Sequence, residues 1–248
     1  MLPPATPAAM PASRNTSTSP PELVFNPAVP RPAALVFDLD GTLIDSRRDL
    51  AAAVNQVRGE LGLPVLTLGQ VVAMVGEGAR VLVQRALGPE VRGNAFEEAF
   101  ASFLRHYRRG CLDHTRPYPG VVELLARLAA ALPLAVLTNK PAETTSLILA
   151  RLGLAGYFRA VIAGDTLPTR KPDPAGLLQL ARGFGVPAAA LCLIGDSRVD
   201  CDTARAAGCS FVLVEWGFPA PPERAALAVP LRAATVGQLQ QLLIGSPP

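Results

Sequence analysis

Along most of the chain the apolar residues come in short, unbroken runs separated by longer stretches with helical spacing. Five runs stand out: Ala34 to Phe37, Leu134 to Leu137, Ala160 to Ala163, Leu191 to Ile194 and Phe211 to Val214. Short continuous runs of this kind predict strands buried on both faces. Between the later runs, Pro141 to Leu152 and Ala175 to Phe184 carry their apolar residues at 3.6-type spacing and predict helices. Strands that alternate with helices predict an α/β fold built on a parallel, doubly wound sheet.

One interval breaks that rhythm. A β-α-β unit needs about 30 residues, yet the first two runs lie about a hundred positions apart. The surplus has helical character throughout. Leu50, Val54, Val57 and Leu61 share one face of a predicted helix over Arg48 to Leu61. Thr67-x-x-Gln70 and Asn94-x-x-Glu97 are capping-box patterns, each expected to open a further helix. The expected organisation is a small helical domain, 47–113, inserted into a core made of 34–46 and 114–248.

The first 33 residues differ in kind. Nine of the chain's 25 prolines fall there among Ala, Ser and Thr, a composition that offers too little apolar surface to offset ordering entropy. Residues 1–33 are therefore expected to be a disordered extension. Arg14 and Arg31 are its only basic residues and Glu22 is acidic, a poor fit to a transit peptide; a start placed too far upstream explains the segment equally well.

Composition narrows the function classes. Half of the 248 residues are hydrophobic and 17% are charged, ample for a packed core. The longest apolar stretch, Leu128 to Leu137, is interrupted by Pro133 and is far short of the roughly 20 residues of a membrane span. The net charge of +3 is scattered rather than gathered into a basic tract, so neither nucleic acid nor a membrane is expected as a partner. Cys111, Cys192, Cys201 and Cys209 form no C-x-x-C pair and no secretory segment precedes the domain. They are expected to be reduced structural thiols in a cytoplasmic protein. The chain carries no signal of oligomeric state.

The candidate chemistry sits where the strands end. The first run leads into Asp38-Leu39-Asp40-Gly41-Thr42 and the second into Thr138-Asn139-Lys140. Arg170-Lys171-Pro172 follows the third, and Gly195-Asp196-Ser197-Arg198-Val199-Asp200 the fourth. Ligands of open parallel sheets bind at the carboxyl ends of the strands, so these four segments are expected to converge. Asp38, Asp40 and Asp196 would then bring three carboxylates together, a costly arrangement without a cation among them. Their oxygens suit a hard divalent ion such as Mg²⁺. Thr138 and the Asn139 backbone N–H are placed to hold phosphate oxygens, and Lys171 to neutralise charge. A carboxylate nucleophile at Asp38 and an acid/base at Asp40 complete a route for phosphoryl transfer. Asp38-x-Asp40-Gly taken alone also fits a calcium loop, but an EF-hand places Gly sixth and a bidentate Glu twelfth, where Leu43 and Asp49 stand.

These same residues, with Asp45-Ser46, resemble the four signature motifs of the haloacid dehalogenase superfamily, and the less generic stretches Thr115-Arg-Pro-Tyr-Pro-Gly120, Gly164-Asp-Thr-Leu-Pro-Thr-Arg-Lys-Pro172 and Ala204-Arg-Ala-Ala-Gly-Cys209 extend the similarity within it. Within it the chain is similar to the bacterial phosphoglycolate phosphatases, from about Ala34 to Phe218. The resemblance implies a Rossmann-like core, Asp38 as nucleophile and Asp40 as general acid/base. It also implies Mg²⁺ held by Asp38, the Asp40 carbonyl and Asp196, with Asp200 behind them orienting Lys171 or a bound water. Thr138, Asn139 and Lys171 would bind the phosphoryl group. The inserted helices would form a cap that closes over the site and selects the substrate. Val75 to Arg80 looks like the cap loop facing the site, with Arg80 as a reader of a substrate carboxylate or, alternatively, an ordinary exposed helix arginine. His106 and His114 are expected at the surface. The chain departs from its relatives at Arg47-Arg48, where Ala-Pro is usual, and at Val199, where Asn is common. The implied reaction is Mg²⁺-dependent hydrolysis of a small phosphorylated metabolite, 2-phosphoglycolate first. A sugar phosphate, nucleotide or pyrophosphate, a phosphomutase reaction and a catalytically silent binding module stand as alternatives.

Overall fold

A computed structural model describes residues 31–219 and 221–244; the extension expected over 1–33 lies almost wholly outside them. The chain opens with β1 (Ala34–Phe37) and the two-residue β2 (Ile44–Asp45), then runs through four helices, α1 (Arg47–Glu60), α2 (Leu68–Val72), α3 (Ala79–Leu87) and α4 (Asn94–Gly110). It returns through β3 (Arg116–Pro117), α5 (Val121–Ala129), β4 (Leu134–Leu137), α6 (Ala142–Arg151), β5 (Ala160–Ile162) and α7 (Ala175–Phe184). The last part comprises β6 (Leu191–Gly195), α8 (Arg198–Ala207), β7 (Ser210–Val214), α9 (Pro221–Ala225), β8 (Arg232–Ala233) and α10 (Val236–Ile244).

Six strands form one parallel sheet in the order β5-β4-β1-β6-β7-β8. β1 is central, flanked by β4 and β6, so the chain winds outward on one side through β4 and β5 and then on the other through β6, β7 and β8. That reversal leaves a crevice at the carboxyl end of β1, where an α/β sheet binds its ligands. The fold is thus the parallel α/β architecture expected from the apolar runs. β2 pairs antiparallel with β3, Ile44 opposite Pro117 and Asp45 opposite Arg116, and so closes the base of the excursion through α1 to α4.

The strands are apolar because both faces are covered. Leu35 and Phe37 of β1 point into a cluster with α5, while Ala34 and Val36 point into a second cluster with Leu177 of α7 and Ala204 of α8, the period-2 alternation of a strand. The first cluster continues without a break into the helical insert, through Leu50, Val54 and Val57 of α1 and Phe103 and Tyr107 of α4.

Two capping expectations have different outcomes. Thr67 and Gln70 form the reciprocal capping box of α2. At α4 the expected box is absent: Gly93 is the N-cap and Asn94 is already helical. Glu97 does not reach back to the helix start because its carboxylate is taken by Arg80. All four cysteines are free, three of them buried. Among the described residues no helix is long and apolar enough to cross a membrane.

Candidate active site

The expected convergence occurs at the end of β1. Asp38 follows the strand directly, its N–H bonded to the Ile194 carbonyl at 2.9 Å, so β6 fixes its position. Asp40 lies at the start of a turn closed by Gly41 N–H to Ile44 O at 2.9 Å. Gly41 has φ +81°, and a Cβ there would stand 2.1 Å from Asp196 Oδ2. Only glycine satisfies both the turn and this approach.

β4 delivers Thr138, Asn139 and Lys140, all buried. The Thr138 N–H bonds the Ile162 carbonyl of β5 at 3.0 Å. Asn139 has a structural part besides the backbone role expected of it. Its Nδ2 donates to the Gly76 carbonyl of the insert at 3.0 Å and to the Lys171 carbonyl at 2.9 Å, tying three segments together. Lys171 Nζ lies 2.8 Å from Asp38 Oδ1 and 2.6 Å from Asp200 Oδ1.

β6 delivers Asp196, whose Oδ2 accepts from the Phe218 N–H at 2.7 Å. Asp200 belongs to the first turn of α8, where it forms a capping box with Ser197: each side chain accepts from the other's backbone N–H. The Ser197 hydroxyl also donates to Asp200 Oδ2 at 2.6 Å, leaving Oδ1 for Lys171. Asp38, Asp196 and Asp200 each offer a carboxylate oxygen within 4.8 Å of the others'. The Asp40 side chain does not join that trio. Its Oδ1 accepts from Ser46 at 2.5 Å, and both its oxygens are 3.0 Å from Lys140 Nζ. Ser46 precedes α1 as its N-cap yet makes no side-chain cap bond, because its hydroxyl is spent on Asp40.

Electrostatics follow from this packing. Burial pushes Asp38 up to about 7; Lys171 opposes that and Asp200 adds to it. Burial, with Asp200 and Asp38 beside it, holds Asp196 well above the usual carboxylate range. For Lys171, Asp200 and Asp38 outweigh burial and keep the ammonium above its ordinary pKa; Asp40 and Tyr107 do the same for Lys140. Four carboxylates thus share the site with two ammonium groups.

Arg80 is placed elsewhere. Its guanidinium pairs with Glu97 and lies over the rings of Phe96 and Phe100 at 4.9 and 5.2 Å, on an exposed face; Gly78 and Ala79 border the cavity instead. Stacking on two rings plus an ion pair gives the side chain a better environment there than the apolar cavity wall. His114 is exposed and reaches back to buried Asp49, and His106 is half-buried against Glu60. Arg47 pairs with Asp45 at 2.6 Å and stands 5.8 Å from the centre of the Phe218 ring.

Sequence reasoning assigned no role to three residues that the fold brings in. Lys140 lies beside Asp40, Tyr107 of α4 lies 2.5 Å from Lys140 Nζ, and Phe218 borders the cavity beside Asp196. Lys140 had a signal, a lysine directly after a buried strand. Tyr107, inside an amphipathic helix, had none.

The chain is also similar to known proteins. A haloacid dehalogenase-like hydrolase family model matches residues 35–214. A phosphoglycolate phosphatase of Thiobacillus denitrificans is 43% identical over 190 residues, 75% of this chain and 84% of the relative. One from Chromobacterium violaceum is 38% identical over 215 residues, 85% of this chain and 96% of the relative. The crystal structure of a predicted phosphoglycolate phosphatase from Haemophilus somnus superposes with a TM-score of 0.81 at 30% identity, covering 86% of this chain and 98% of that one.

Proposed function

The chain belongs to the haloacid dehalogenase-like hydrolase family, and on that premise we propose that it hydrolyses 2-phosphoglycolate to glycolate and phosphate through an aspartyl phosphate on Asp38. The observation that carries the reading is the Asp38–Lys171–Asp200 chain of contacts beside the separately held Asp40. It sets one carboxylate up as nucleophile and another as proton carrier. The names of the relatives supply the substrate.

In this reading an Asp38 oxygen attacks phosphorus and the bond to the glycolate oxygen breaks. Asp40 serves as the general acid that delivers a proton to that oxygen. Asp40 then takes a proton from water, which attacks the aspartyl phosphate, releases phosphate and regenerates the Asp38 carboxylate. Thr138 and the Asn139 N–H hold phosphoryl oxygens, and Lys171 offsets charge on the phosphoryl group and on Asp38. Asp200 positions Lys171.

The donor set fits Mg²⁺. Asp38 and Asp196 present hard oxygens, and the excess of two carboxylates over the two lysines is the charge of one divalent ion. Asp38, Asp196 and the Asp40 carbonyl would hold it; when bound, it stabilises the charge developing on the phosphoryl oxygens. The binding of the Asp40 side chain by Ser46 and Lys140 supports assigning its carbonyl, not its carboxylate, to the metal. The helical insert acts as the cap: Leu82 and Phe103 border the same cavity as Asp38. The free cysteines support a cytoplasmic setting.

The test is phosphate release from 2-phosphoglycolate beside a sugar phosphate, a nucleotide and pyrophosphate, with Mg²⁺ or with EDTA. Preference for 2-phosphoglycolate, lost in EDTA and reduced about a thousandfold or more in Asp38→Asn, is the expected result. Preference for another ester moves the substrate but keeps the chemistry. Isomerisation of a sugar phosphate without phosphate release makes the chain a mutase.

A further inference from the structure

Resting on that substrate reading, we propose that Tyr107, polarised by Lys140, is the specificity residue that binds the substrate's carboxylate. A phosphorylated hydroxy acid brings two anionic groups into the cavity. Thr138, Asn139 and Lys171 serve the one that is transferred, and the other needs a partner of its own. Arg80, the cation expected for that task, faces away from the cavity and is neutralised by Glu97. Among the residues bordering the cavity, Lys140 is the cation and Tyr107 is the hydroxyl donor contributed by the insert.

Their hydrogen bonds assign the two their parts. Lys140 Nζ donates to both Asp40 oxygens at 3.0 Å and to Tyr107 Oη at 2.5 Å, and sits 4.5 Å from the centre of the Tyr107 ring. Tyr107 Oη is therefore an acceptor towards Lys140, and its own proton is committed to no acceptor among the described residues. A buried hydroxyl that accepts from a cation has a polarised proton, and burial makes an unmet donor costly. An anionic oxygen in the cavity satisfies it. Gly78 and Ala79, the N-cap and first residue of the nine-residue α3, border the same cavity; their end of the helix favours negative charge. The apolar wall supplied by Leu82 and Phe103 excludes water and strengthens a single charged hydrogen bond.

Tyr107→Phe removes the proton and keeps the ring, so it isolates this role. The measured quantity is the ratio of kcat/KM for 2-phosphoglycolate to that for 2-hydroxyethyl phosphate, in which a neutral CH₂OH replaces the carboxylate. The ratio is expected to fall about tenfold to hundredfold in the variant, the magnitude of a hydrogen bond to a charged group. The loss should lie mainly in KM for 2-phosphoglycolate, and inhibition by free glycolate should weaken in parallel. An equal fall for both esters, chiefly in kcat, overturns the inference and makes Tyr107 a positioning residue acting through Lys140 on Asp40. A wild type that prefers 2-phosphoglycolate and a variant that keeps both the preference and the glycolate inhibition overturn this inference alone. A wild type with no preference for the carboxylate overturns the substrate reading and this inference together.

Discussion

Asp38 is pulled in two directions. Burial favours its neutral form, Lys171 at 2.8 Å favours its ionised form, and without a cation the balance leaves its pKa raised from 3.8 to about 7. The sign of the consequence follows from proton counting. Between those two values the folded chain binds more protons than the unfolded chain, so stability falls as pH rises across that window. Asp196, raised by the same burial, acts in the same direction. A divalent cation bound by these oxygens competes with their protons and removes the penalty for ionising them. In EDTA, Tm should therefore decline from about pH 5 to about pH 7.5, and the rise in Tm on adding Mg²⁺ should grow over the same interval. Melting curves at three pH values with and without Mg²⁺ decide it; a Mg²⁺ effect that shrinks towards pH 7.5 refutes the account. Asp38→Asn should flatten the EDTA profile.

Between the residue and the whole molecule, α8 shows how an element start can aim a functional side chain. The Ser197–Asp200 capping box satisfies the first amides of the helix and uses Asp200 Oδ2 to do it, so Oδ1 is presented to Lys171. Ser197→Ala should cost about 1 kcal/mol of stability, as lost N-caps do. It should also lower kcat, because Asp200 loses a donor that fixes its orientation, while Ser197→Thr should restore both. Urea midpoints and kcat measured on the same preparations separate this from a purely structural cap, for which stability would fall and kcat would not. Legibility of the elements followed packing. The runs at 34–37 and 134–137 matched β1 and β4 to the residue because both faces of those strands are covered. β2, β3 and β8, two residues each, are too short to carry any periodicity. The Thr67 box was legible since nothing competes for Gln70. The Asn94 pattern misled because a tertiary partner, Arg80, claims Glu97. The positions of Asp38, Thr138 and Asp196 were legible because each directly follows a buried strand, whereas Lys171 lies in a loop and Asp200 inside α8. Tyr107 was not legible, because its helix face is apolar and only the fold brings Lys140 to it.

At the scale of the whole molecule, the long interval between β1 and β4 holds the helices α1 to α4, but its length does not say how firmly they are joined to the sheet. One apolar cluster runs from Leu35 and Phe37 of β1 through α5 to Leu50, Val54 and Phe103 of the insert. The polar ties at the crevice follow the same path: Asn139 to the Gly76 carbonyl, and Lys140 to Tyr107. An insert that buries its core against itself alone can melt by itself, whereas one that shares a core with the sheet loses its packing when the sheet does. Phe103, fully buried and stacked on Tyr107 at 5.7 Å, sits within that shared packing. Phe103→Ala should cost about 3–5 kcal/mol through lost burial and the cavity left behind. The expected calorimetric signature is one transition moved to lower temperature, with calorimetric and van't Hoff enthalpies in agreement. Two separated transitions in the wild type, or a variant in which only a first, smaller transition moves, would show that insert and sheet unfold independently. The crevice would then depend on a hinge for its closure, not on a continuous core.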